Sequence, residues 1–128
     1  MTLFRIATII FAFIPLYFGV TGVIFGAAQL ASGEVAPAID NQFRYLSGVY
    51  IGVAVMLFYS AGNVARRSLA FRLAIIAVFI GGIGRAVSYL TIGVAEMWQV
   101  GAMGLELISP LFILWQGGVI KASRSIIR

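Results

Sequence analysis

Two residues in this sequence invite a chemical reading, Arg85 and Glu106, because each is an ionisable group inside an apolar run. Around Arg85, in Phe79-Ile80-Gly81-Gly82-Ile83-Gly84-Arg85-Ala86-Val87-Ser88-Tyr89-Leu90, roughly 25 residues from Leu69 to Gly93 hold no other charge except Arg72 at their start, and about 20 such residues span the hydrocarbon of a bilayer. A charge at membrane depth costs about 2.5 to 3.5 kcal/mol on insertion scales and so requires a partner. With about 1.5 Å of rise per helical residue, Arg85 lies roughly 12 Å inside the end of its span and Glu106 roughly 9 Å inside the start of the next. The two are level, and Glu106 is the expected partner.

Two uses of such a pair follow. The first is structural, a buried ion pair that fixes helix register, with little net stabilisation because desolvation offsets attraction. The second is binding. Arg44, at the start of another span, either anchors that helix at the interface or turns inward beside Arg85. In the inward case two guanidinium groups face one glutamate, and unused fork-shaped donors remain for a carboxylate, a phosphate or a lipid headgroup. Ser88 and Tyr89 share the helix stripe of Arg85, which makes Arg44, Arg85, Ser88, Tyr89 and Glu106 the candidate ligand-binding set. Pro110, four residues after Glu106, removes the donor that would satisfy the Glu106 carbonyl.

The elements that position these residues are readable from composition. Of 128 residues 62% are hydrophobic and 10% charged, far from the roughly one-quarter charged that soluble domains carry. A single all-α domain, an integral membrane bundle of four antiparallel helices, is the expected fold class. The net charge of +5 belongs to topology rather than to nucleic acid, since the basic residues flank apolar spans instead of clustering on a solvated face. With no cysteine and no histidine, disulfides, thiol nucleophiles and the commonest metal ligands are absent. No cofactor or metal is expected.

Four spans are expected at about 6–30, 43–61, 69–93 and 100–120. The first is too long for the apolar region of a signal peptide, which is about 7 to 15 residues, and it contains Pro15. Gly19, Gly22 and Gly26 share one of its faces and would admit a neighbouring backbone, with Gln29 extending that face. Glu34, Pro37 and Asp40 mark a water-facing loop, and Asp40 or Asn41 is the expected cap of the second helix. Gly48 and Gly52, a Gly-x-x-x-Gly spacing, predict close packing within the chain or between copies. Arg5, Arg66, Arg67, Arg72, Lys121, Arg124 and Arg128 all fall on one predicted side, which the positive-inside rule makes cytoplasmic together with both termini. Trp98, Trp115 and Gln116 are expected at the two interfaces.

The order Asp40-Asn41-x-Phe43-Arg44, Gly81-Gly82-x-x-Arg85, Glu106-x-x-x-Pro110 and Trp115-Gln116, over about residues 10 to 117, resembles a bacterial family of small four-span proteins known as domain of unknown function 4345. That family is similar to the broader DoxX-like four-helix membrane proteins. The resemblance implies architecture and a bacterial inner-membrane location, and it brings no catalytic residue.

Three functions are compatible with these residues. The leading one is a non-enzymatic accessory or binding protein, its partners a lipid or small anionic amphiphile, a second copy in a homodimer, or a membrane-protein helix. A small dimeric proton-coupled transporter is the second, although in the small multidrug exporters the membrane glutamate lies in the first helix and here it lies in the fourth, opposite an arginine. The third is a membrane isomerase using Glu106 as acid or base with Tyr89.

Overall fold

The computed structural model describes residues 1–93 and 96–125. Among them the chain is entirely helical: α1 (Thr2–Phe25), a 3-10 turn (Ala27–Leu30), α2 (Pro37–Gly62), α3 (Ser68–Thr91), α4 (Met97–Ile108) and α5 (Pro110–Ser125). Taking α4 and α5 as one interrupted helix, four helices are long and apolar enough to cross a membrane, the pattern of a multi-pass membrane protein. Large apolar side chains are turned outward throughout, with Leu90 and Ile92 81% and 87% exposed. Water would not tolerate a surface of that kind on a monomeric soluble protein.

Every boundary has a local cause. Gly26, at φ +67°, stops α1 five residues before the expected end. Its N–H still reaches the Gly22 carbonyl at 3.0 Å, and the left-handed turn suits a residue without Cβ. Pro15 does not interrupt α1, which runs through it. The second helix begins earlier than expected, because Pro37 at its first turn supplies a preset φ and no N–H that needs a partner. Ala36 is therefore its cap residue, and the expectation that Asp40 or Asn41 caps it is corrected. Asp40 lies in the first turn with its carboxylate committed elsewhere, and Asn41 is exposed. At the far end of α2, Arg67 donates to the Tyr59 carbonyl at 2.9 Å and stacks 4.2 Å from the Tyr59 ring. It serves carbonyls that the helix leaves free.

The expected loop over 94–99 includes Val94 and Ala95, outside the described residues. From Glu96 onward, a capping box joins Glu96 and Gln99 and starts α4 at Met97, the Glu96 N–H donating to Gln99 Oε1 at 3.2 Å. Pro110 then breaks the fourth helix at Ser109. The Glu106 carbonyl is not left free, since the Ser109 N–H takes it at 3.3 Å. Arg128 also lies outside the described residues.

Packing divides the glycines into two classes. Gly19 and Gly22 are buried against α2, where a Cβ on Gly19 would stand 2.8 Å from the Ser47 carbonyl oxygen and 3.0 Å from the Ile51 nitrogen. Around Gly48 and Gly52 there is open space, so the expected close packing at these two does not occur within the chain. The core lies toward the other end, where Phe4, Leu57, Phe71 and Ile75 are fully buried. Aromatic edges lock it, with ring centroids 5.1 Å apart for Phe4–Phe71 and Phe4–Trp115 and 5.4 Å for Phe11–Phe112. Trp115, expected as an interface anchor, packs its ring against Phe4 and Phe112 of this core.

The two glycine classes yield a paired test. Gly19→Ala should lose about 1 to 3 kcal/mol through overpacking against backbone, whereas Gly48→Ala should be neutral or gain up to about 1 kcal/mol from helix propensity. Thermal unfolding of the two variants in detergent distinguishes them.

Candidate functional site

At the heart of the site is Glu106, only 8% exposed in the last full turn of α4. It is brought there by Gly82, one turn before Arg85 on α3. A Cβ at Gly82 would stand 2.8 Å from the Glu106 Cβ and 3.1 Å from the Leu107 nitrogen, so only glycine lets α4 approach at this depth. The carboxylate then meets Arg85. Its Nε donates to Glu106 Oε1 at 3.1 Å and stands 2.9 Å from Oε2, a side-on ion pair in which Oε2, among the described residues, accepts no hydrogen bond. The pair anticipated from sequence depth is therefore formed.

Tyr50 completes the arrangement and was not anticipated. Its hydroxyl donates to Glu106 Oε1 at 3.2 Å, tying α2 to the same carboxylate. The available signal was spacing: Tyr50 lies three residues after Ser47, on the face of α2 that Gly19 and Gly22 pack against. In the sequence Gly82 is only part of the Gly81-Gly82-x-x-Arg85 pattern, and its close approach to α4 follows from the placement of both helices.

The guanidinium commits only Nε to the carboxylate. Among the described residues, the two Nη groups make no hydrogen bond, and Arg85 lines three adjoining cavities. One, about 400 Å³, includes Phe18, Thr21, Gln29, Tyr50 and Trp98. A second, about 340 Å³, includes Phe11, Pro15, Tyr50, Trp98 and Leu105. A third, about 170 Å³, reaches Ser88 and Tyr89. The first two share Phe18, Tyr50, Arg85 and Trp98 and lie where α1 faces α4. There the helices barely pack, α4 resting on α3 while α5 reaches back to α1. The seam is crossed by Phe18 stacked on Trp98, centroids 5.4 Å apart and planes 8° from parallel, with both rings about two-fifths exposed. The result is a largely apolar, aromatic-lined opening with Arg85 in its wall.

The remaining expected residues separate from this centre. Ser88 and Tyr89 are exposed and border the third cavity, without contacting Glu106. Arg44 does not join Arg85, which corrects the inward alternative. Its Nε pairs with Asp40 Oδ2 at 2.7 Å, and its Nη1 donates to the carbonyls of Val23 and of Ile24, the latter at 3.1 Å. Asp40 Oδ1 accepts the Ala27 N–H at 2.8 Å. The Asp40–Arg44 pair therefore clamps the chain around Gly26, satisfying the end of α1 on both sides of the turn. Gln29 is exposed in the 3-10 turn and borders the cavity of about 400 Å³. Gln116, expected at an interface, is fully buried and accepts from Arg72 Nε at 3.2 Å.

The chain belongs to the family Domain of unknown function (DUF4345), which matches residues 3–116. No curated protein and no solved structure matches it.

Removing one partner of a buried pair leaves the other charge uncompensated. Glu106→Leu and Arg85→Leu are each expected to cost about 3 kcal/mol, the low end of the roughly 3 to 5 kcal/mol for breaking a buried pair, because the Arg85 side chain is 33% exposed. The double substitution should recover at least half of their summed loss, read by chemical or thermal unfolding in detergent. Strictly additive losses would mean that the pair contributes nothing as a pair.

Proposed function

We propose that the chain is a non-enzymatic binding or accessory protein of a bacterial inner membrane, taking up an anionic amphiphile at Arg85. In this reading it is an antiparallel four-helix bundle related to the DoxX-like proteins. Both termini are cytoplasmic, and the Arg85–Glu106–Tyr50 centre lies in the outer half of the bilayer. The order of contacts between α1 and α2 supports the antiparallel course, Gly26 meeting Asp40, Gly22 meeting Ser47 and Gly19 meeting Ile51. The one-sided distribution of seven of the nine basic residues supports the orientation.

The observation that carries the proposal is the unfinished coordination of Arg85. Glu106 neutralises the guanidinium and holds it by Nε, the Nη groups make no hydrogen bond among the described residues, and Arg85 lines an opening together with Phe18, Trp98 and Leu30. A carboxylate or phosphate head would take that edge in a bidentate pair, while its apolar tail lies along the seam between α1 and α4. In this reading Glu106 holds Arg85 in place rather than reacting, with Tyr50 and Arg85 both donating to its Oε1.

Oleate and its methyl ester distinguish the charge from the tail. Native mass spectrometry of the detergent-purified chain should show retention of oleate well above the ester, reduced at least tenfold in Arg85→Lys, which keeps a cation for Glu106 but loses the fork. Equal retention of acid and ester, or an acid unaffected by Arg85→Lys, would sink the proposal.

A further inference from the structure

The opposite end of the bundle holds a further cavity, a polar one, which shares no residue with the Arg85 seam. It measures about 290 Å³, lies between α3 and α5, and is lined by Ala65, Ser68, Arg72, Gly117, Lys121 and Arg124 among others. Three cations converge on it without an acidic side chain. The chain has four acids, and all are elsewhere: Asp40 is paired with Arg44 and Glu106 with Arg85, Glu34 precedes α2, and Glu96 caps α4.

We infer that this cavity binds a phosphate group. Arg72 is fixed from behind, its Nε held by Oε1 of the fully buried Gln116 at 3.2 Å, and among the described residues its Nη groups have no hydrogen-bond partner. The fork is thus oriented before any ligand arrives, so little rotamer freedom remains to be lost on binding. Lys121 and Arg124 add two cations one turn apart on α5, and the Ser68 hydroxyl at the start of α3 offers a neutral donor. Three mutually repelling cations around one cavity are relieved by a multiply charged oxyanion, whose tetrahedral oxygens can serve all of them at once. Both a phospholipid headgroup and free phosphate supply that chemistry.

The test uses the full chain in detergent with two probes. Phosphatidylglycerol retention, compared with phosphatidylcholine, is read by native mass spectrometry, and inorganic phosphate binding is read by calorimetry. Lys121→Gln and Arg124→Gln leave the Arg72–Gln116 bond in place. Arg66→Gln removes the same charge from an exposed residue outside the cavity. Each cavity substitution should weaken binding about fivefold, the effect of one basic side chain near an anionic surface, with Arg66→Gln close to wild type. Weakened phosphatidylglycerol retention without phosphate heat assigns a lipid headgroup, and weakened phosphate binding assigns the free anion. The inference is overturned if Arg66→Gln acts as strongly as Lys121→Gln, or if neither probe responds to the cavity substitutions.

Discussion

A carboxylate buried among apolar helices must be matched, and the whole arrangement of this bundle follows from how Glu106 is matched. Gly82 gives α4 its close seat on α3, Arg85 supplies the countercharge from the same helix, and Tyr50 brings in α2. Three helices therefore converge on one side chain. The first helix is not among them. It is held to α2 by its glycine face and by the Asp40–Arg44 clamp, and so the place where it faces α4 is the one left loosely packed. The opening beside Arg85 is a consequence of which helices the carboxylate recruits.

The two ends of the bundle solve their packing differently. Toward the chain termini, Phe4, Phe71, Phe112 and Trp115 interlock edge to face, and the core is closed. Toward the 3-10 turn, the same helices enclose cavities and a polar centre. The interlocked aromatic end fixes the helix positions around the more loosely packed seam at the other.

Four arginines are used here in three distinct ways, which explains why charge alone could not assign roles. Arg44 and Arg67 satisfy carbonyls at helix ends, Arg85 neutralises a buried acid, and Arg72 is oriented by a buried amide. All four exploit the length of the side chain and its several donors. What separates them is the neighbour each one finds.

Hydrophobic run length and the one-sided basic residues were enough to read four long helices and a membrane-like composition, because these depend only on residues near in sequence. The same holds for the level placement of Arg85 and Glu106, since helical rise converts residue count directly into depth. Helix ends were legible only in part. Pro37 and Gly26 are local signals with competing neighbours, and Asp40 has the side chain of a cap although its carboxylate reaches across to Ala27. Tertiary structure alone decided that Arg44 turns away from the centre, that Tyr50 joins it, that Gly48 and Gly52 face open space while Gly82 admits α4, and that Gln116 is buried. Each of these depends on the rotation of one helix against another. Rotation is set by the summed packing of distant side chains, and in a chain apolar on nearly every face, periodicity carries little record of it.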